Sequence, residues 1–257
     1  MSSTSFQSRT PTPHVANPGD VYFLEREEGS HDHAVVRPHV VLTDGRVFPN
    51  VRTVAYCSKQ PTEADDGAPH VMVERTSPLF HLTGFDDTTY IYPSRLIACE
   101  ASDLVDHRGR VIDEFPQLRN DELRRAVGLG TGTAGERGAA AESRRGTIAL
   151  FQPGFAEMVT TAYGLIVTWP PYSRRGAVQN FVPIFDADEY DTDIPCCVVA
   201  SGKWARAMAN VRRAFFMVPL LQSAYEPDDI AGYLPQPVDG VTMRQIDEAL
   251  TQHIYGG

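Results

Sequence analysis

The sequence predicts an α+β fold, mainly β, built from two small antiparallel barrels in tandem, each ending in a C-terminal helix. Three observations carry this. The 257 residues are 42% hydrophobic and 22% charged, the balance of an ordinary globular chain with room for two domains. The segments on either side of a core-poor stretch, "GLGTGTAGERGAAAESRRG", repeat one another in order. Short β-rich runs separated by turn signals, without intervening helices, argue for a barrel rather than a parallel sheet.

Residues 1–16 are polar, lack the apolar run of a signal peptide and read as a disordered arm. The first domain, 17–129, opens on "PGDVYFLERE", a strand around Val21 and Phe23. Further strands are expected at 40–43 and 51–57, then in "HVMVE" and "TTYIYP". "PQLRNDELRRAVGL" is its helix, with Asn120 as the expected cap and Leu123, Ala126 and Val127 facing inward. Residues 130–143 form the linker. They contain a literal GxGxxG at Gly130, Gly132 and Gly135, but a helix precedes it and charged coil follows, not the strand and helix that a nucleotide site requires.

The second domain, 144–257, repeats the series as "RRGTIALFQPG", "AYGLIVTWPP", "QNFVPIFDAD", "RRAFFMVPLLQSAYEPDDI" and "VTMRQIDEALTQHI", about 123–128 residues later. Its helix carries a capping-box pattern at Thr242 and Gln245 and a stripe of Ile246, Ala249, Leu250 and Ile254. One half buries little alone; two packed together bury more, a physical reason for the tandem.

The net charge of −10 is acidic in both halves, which leaves room for a local basic groove but not for a broad nucleic-acid-binding face. Cys57, Cys99, Cys196 and Cys197 have neither zinc spacing nor a disulfide framework, which fits a reducing cytoplasm. The longest apolar run, 214–221, is too short for a bilayer, so no membrane association is expected. The acidic stretch "DADEYDTD" lacks the glycine and distal glutamate of a calcium loop and reads as solvated.

"HDHAVVRPHVVLTDG", residues 31–45, concentrates candidate chemistry. His31 and His33 are a usable ligand pair, but His39 lies beyond Arg37, whose charge opposes a bound dication; no metal or cofactor is expected. Pro38 suits the first residue of a strand. Arg37 then reads either as a solvated strand end or as a phosphate-binding cation. The second copy keeps the strand and drops the arginine: Ala162 and Tyr163 stand there, and Phe185 stands near the position of Ser58.

Taken in order, "NPGDVYFLE", "GSHDHAVVRP", "RPHVVLT", "TVAYCSKQ" and the final helix resemble the PemK/MazF/Kid family of small toxins. The resemblance covers roughly 17–130 and extends more weakly over 144–255. It implies SH3-like (MazF/CcdB-like) barrels and a metal-independent endoribonuclease, an mRNA-interferase-like growth inhibitor, acting on single-stranded RNA. Family toxins usually act as symmetric dimers with RNA along the joint, so the tandem implies an intramolecular pseudo-dimer. The family's active-site arginine and hydroxyl map onto Arg37 and Ser58, and His31 matches an RNA-contacting position. Attack of a 2′-OH on the adjacent phosphate needs a base, an acid and a cation for the phosphorane; arginine serves the last, and His31 is the candidate proton carrier.

His33, Lys59, Phe80 and Tyr92 are the candidate substrate contacts, the aromatics (with Phe48) as stacking surfaces. Where some members carry an acid, Pro93 and Ser94 stand here. The second half reads as catalytically empty. A rival reading is a binding module of the same fold that blocks a topoisomerase or captures a toxin or antitoxin peptide.

Overall fold

A computed structural model describes residues 15–24, 37–45, 49–60, 70–129, 144–168, 178–225 and 228–256. His31, His33, Phe48, the linker 130–143 and most of the expected N-terminal arm lie outside them.

The first half forms β1 (Asp20–Leu24), β2 (Pro38–Val41), β3 (Val51–Ser58), β4 (Val71–Val73), β5 (Thr89–Glu100) and β6 (Leu104–Arg110), then α1 (Phe115–Gln117) and α2 (Leu123–Ala126). The second forms β7 (Ile148–Phe151), α3 (Pro153–Met158), β8 (Tyr163–Ile166), β9 (Val178–Asp186), β10 (Cys197–Ala200), β11 (Ala214–Met217), β12 (Gln222–Tyr225), β13 (Ile230–Tyr233) and α4 (Gly240–Tyr255). The fold is therefore mainly antiparallel β with a C-terminal helix.

The first sheet runs β4-β5-β3-β2-β1-β6 and the second β10-β11-β9-β8-β7-β13, with β12 also paired to β9. Read in chain order, each strand of the first sheet has a counterpart at the same place in the second. Among the described residues both sheets are open, without a pairing that joins their two edges.

The predicted strands form because β-branched and aromatic residues occupy the central positions; β9 is buried along almost its whole length. The polar "LVDHRGR" gave no strand signal, yet it forms the edge strand β6, where charged side chains are solvated and discourage further pairing. β5 carries three extra residues, Pro93 to Arg95, against β3: Ala55 pairs with Leu96 but Tyr56 with Tyr92. Proline cannot supply the ladder donor, so the strand bulges there.

The predicted helix stripe holds, with Ile246, Ala249, Leu250 and Ile254 all buried. The cap differs from the expectation. Asp239 rather than Thr242 accepts the Val241 and Thr242 amides, and Thr242 donates its hydroxyl back to Asp239. The first helix also starts earlier than expected, so that Asn120 lies within a wider π-type turn, Leu118–Glu122, instead of capping. No helix among the described residues is long and apolar enough to cross a membrane.

One continuous core joins the halves, running from Val21, Val40, Leu96 and Leu123 to Ile148, Val182, Phe216 and Leu250. At its edge a buried polar junction fixes their register. Asn180, completely buried, donates to the Pro93 carbonyl at 3.2 Å. Ser223 accepts from the Leu96 amide at 2.6 Å and lies 2.6 Å from Asn180 Oδ1. The Asn180 amide donor and the Leu96 amide find these partners only while the halves stay docked, and each buried orphan costs about 1–3 kcal/mol.

His253 of α4 lies in the same junction, 3.0 Å from Thr53 Oγ1 on β3. Burial holds its imidazole down at about 4, against a smaller opposing pull from Asp44. Between pH 6.5 and 4 the unfolded chain binds a proton that the folded one refuses, so stability is expected to fall as pH drops through that window, by about 3 kcal/mol at most. Denaturant titrations of the wild type and His253→Gln at pH 7.5 and 5 check this. An equal acid loss in both proteins removes His253 as the cause.

Candidate active site

The β2–β3 register builds the site. His39 pairs with Tyr56 and Val40 with Ala55, so Arg37 and Ser58, two positions further out, come face to face at the end of the strand pair. Arg37 Nη1 donates to Ser58 Oγ at 3.2 Å, and the Gln60 amide donates to the same oxygen at 3.3 Å. Two accepted bonds leave the Ser58 hydroxyl its own proton to give. The Arg37 guanidinium also lies 5.4 Å from the Tyr56 ring centroid. Neither partner carries a charge, so the cation is not neutralised by them.

Both side chains line a cavity of about 380 Å³, with Lys59, Phe23, Phe85, Asp86 and Arg108 among its other walls. That volume suits a small-molecule group or a nucleotide fragment. Beside this cavity, Gly84 in its lining and Gly109 of β6 are each in close backbone approach. A Cβ on Gly84, at φ +72°, would lie 2.3 Å from the Arg108 carbonyl oxygen, and one on Gly109 would lie 2.2 Å from that of Leu82. Only glycine permits the 84–86 loop to seat against β6 this closely. Three cations thus converge with one carboxylate. Lys59 Nζ stands 3.6 Å from Asp86 Oδ2, and Arg108 lies over Phe23 while pairing with Asp106 at 3.2 Å.

Of the sequence-predicted residues, Arg37, Ser58 and Lys59 come together, whereas His31 and His33 lie outside the described residues. Phe80 sits in a short 3₁₀ turn, packs against the core and does not line this cavity. Tyr92 is 1% exposed, which corrects its reading as an open stacking surface. Its ring packs among Tyr56, Tyr90 and His70, with Arg95 laid across it. His39 is buried within β2, its ring edge-on to Tyr56. Cys57 also lines the cavity, but complete burial pushes its thiol far up, so it is no ready nucleophile. Among the described residues no three His, Cys, Asp or Glu side chains group as metal ligands.

Arg95, Arg108 and Asp86 were not foreseen. The signal for Arg95 was present in Pro93, since a proline inside a strand run marks a bulge. The bulge carries the Arg95 guanidinium to 5.2 Å from Tyr56, 5.8 Å from Tyr92 and 5.6 Å from Tyr225 of the second half. Arg95, Tyr56 and Tyr225, with Phe155 and Met158, line a second cavity of about 680 Å³ between the halves. Tyr56, in the wall of the second cavity, has both guanidiniums near its ring, Arg37 at 5.4 Å and Arg95 at 5.2 Å from the centroid.

The second half repeats the strand pair without the chemistry. Tyr163 pairs with Ile184, which puts Ala162 opposite Phe185 where the first half has Arg37 opposite Ser58. Phe185 is buried and packs with Phe215 and Met217. Neither position presents a cation or a hydroxyl there.

No family model and no curated protein matches this chain. Among solved structures, an endoribonuclease in complex with its cognate antitoxin, from a Mycobacterial species, is 17% identical over 45% of this chain and 98% of its own, with a TM-score of 0.33. An endoribonuclease from Mycobacterial species is 16% identical over 46% of this chain and 96% of its own, again with a TM-score of 0.33. Likenesses of this size decide neither the fold nor the function.

Proposed function

We propose that the chain is a cytoplasmic growth inhibitor of the MazF/PemK kind, an endoribonuclease that cuts single-stranded RNA without a metal. In this reading the two halves are SH3-like units that form an intramolecular pseudo-dimer, one competent and one degenerate. The observation that carries it is the opposed pair Arg37 and Ser58 in a cation-lined cavity, replaced by Ala162 and Phe185 at the matching register.

The geometry suits phosphodiester chemistry. A guanidinium fork matches two phosphate oxygens, and the Ser58 hydroxyl donates to the same phosphate. Lys59 and Arg108 raise the local positive potential in a chain whose net charge is −10. Attack of the 2′-oxygen on phosphorus gives a phosphorane whose charge Arg37 stabilises, and expulsion of the 5′-oxygen leaves a 2′,3′-cyclic phosphate. His31 and His33, six and four positions before Arg37 in the sequence, are the RNA contacts of this reading. The strand continues past Tyr56 towards Arg95 and Tyr225 in the junction cavity, where rings and a guanidinium offer stacking surfaces.

Purified protein incubated with single-stranded RNA in EDTA is expected to give 2′,3′-cyclic phosphate and 5′-hydroxyl ends. Intact RNA, or cleavage that requires added magnesium or zinc, overturns the reading. The acidic net charge favours one rival: the same fold as a module that captures a protein, such as an antitoxin peptide or a topoisomerase. Growth arrest without new RNA ends selects that rival.

A further inference from the structure

Cleavage by a 2′-OH requires something to take its proton. Resting on the nuclease reading, we propose that Asp86 is the general base of this site. Among the described residues lining the cavity it is the only carboxylate. Arg37, Lys59 and Arg108 arrive charged, Ser58 and Thr89 bring hydroxyls, Gln60 an amide, and the Cys57 thiol is sealed within the sheet.

Its position is built rather than incidental. The Gly84–Arg108 and Gly109–Leu82 approaches clamp the loop to β6. Thr83 Oγ1 donates to the Phe80 carbonyl at 2.8 Å and accepts the Phe85 amide at 3.1 Å, and Phe85 is buried beside it. Asp86 is thereby held at the mouth of the cavity with its side chain 75% exposed, in reach of a substrate hydroxyl. Lys59, next in sequence to Ser58, holds the carboxylate at 3.6 Å, a loose contact that a substrate can replace.

The step balances without any further reagent. The 2′-hydroxyl proton passes to the Asp86 carboxylate as the 2′-oxygen–phosphorus bond forms. The phosphorus–5′-oxygen bond breaks, and water at the open mouth protonates the leaving oxygen. Asp86 then returns its proton to solvent. Lys59 is a positioning residue, acting through Asp86.

The test is single-turnover cleavage of a single-stranded RNA by wild type, Asp86→Asn, Asp86→Ala and Asp86→Glu, with Asp87→Asn as the neighbouring control. Asp86→Asn is expected to lose about 10²-fold or more in rate with KM little changed, and its rate should no longer fall on the acid side of the pH profile. Formate should restore part of the Asp86→Ala rate, and Asp86→Glu should retain more than Asp86→Asn. A rate for Asp86→Asn within twofold of wild type, a change in KM alone, or an acid limb removed by His31→Gln in its place overturns the proposal. Arg37→Ala separates the two levels. If it abolishes cleavage while Asp86→Asn does not, the nuclease reading stands and only the base is wrong. A wild type that leaves RNA intact removes both.

Discussion

Arg37→Ala is expected to lower the rate of RNA cleavage by about 10³-fold, the equivalent of ~4 kcal/mol of transition-state stabilisation, without unfolding the protein. The guanidinium sits half-buried at the end of the β2–β3 pair, and among the described residues its partners, Ser58 and Tyr56, are uncharged. A cation placed there in advance costs no reorganisation when charge builds on the phosphorane. Its structural part is small, one hydrogen bond and one ring contact, so the melting temperature should move by no more than about 4 °C. Arg37→Lys keeps the charge but loses the fork, and its rate should fall between the two. Installing the arginine in the other half, as Ala162→Arg, should not create a second site, because Phe185 fills the facing position among Phe215 and Met217. Single-turnover kinetics beside thermal denaturation make the comparison. An Arg37→Ala protein that cuts at the wild-type rate rules the arginine out of the chemistry.

What the sequence revealed, and what it concealed, follows from how local each feature is. β2 and β3 were legible as short apolar runs, buried almost throughout, and the α4 stripe because its buried positions repeat with the helical period. Arg37 and Ser58 were legible because both sit at strand ends in short motifs, and the matching positions in the other half lack them. β6 was hidden because an edge strand wetted by charged side chains has no apolar alternation. Asp86 and Arg108 were hidden for a different reason. They reach the cavity only because Gly84 and Gly109 let two backbones touch, a contact between distant segments that no local pattern encodes. Tyr92 shows the converse, an aromatic residue that reads as a stacking surface until the fold buries it.

Arg145 is the sharpest case, because the sequence places it two residues past the linker, at the end of a Gly-, Ala- and charge-rich stretch without core residues, yet its side chain is 13% exposed. Its guanidinium pairs with Asp247 of α4, donates to the Val167 carbonyl, and donates at 2.8 Å to the carbonyl of Val127, just past α2 in the first half. One side chain therefore ties the end of the first half, the start of the second and the last helix together. Burial works against both charges, lowering the arginine and raising the aspartate, and each opposes that shift in the other.

Such a pair contributes little net stability compared with an apolar replacement, but losing one member leaves a charge without its partner. The carboxylate that Arg145→Met leaves behind is 39% exposed and partly solvated, so the loss is expected to be about 1–3 kcal/mol, much of it from the unbonded carbonyls, or several degrees in a chain of this size. Arg145→Met combined with Asp247→Leu should recover the electrostatic part of that loss, since no orphan charge remains. Equilibrium denaturation of the two single variants and the double variant closes the cycle. If the double variant is as unstable as the sum of the singles, the bonds to Val127 and Val167 hold the halves together, not the ion pair, and the junction is a backbone clamp rather than an electrostatic one.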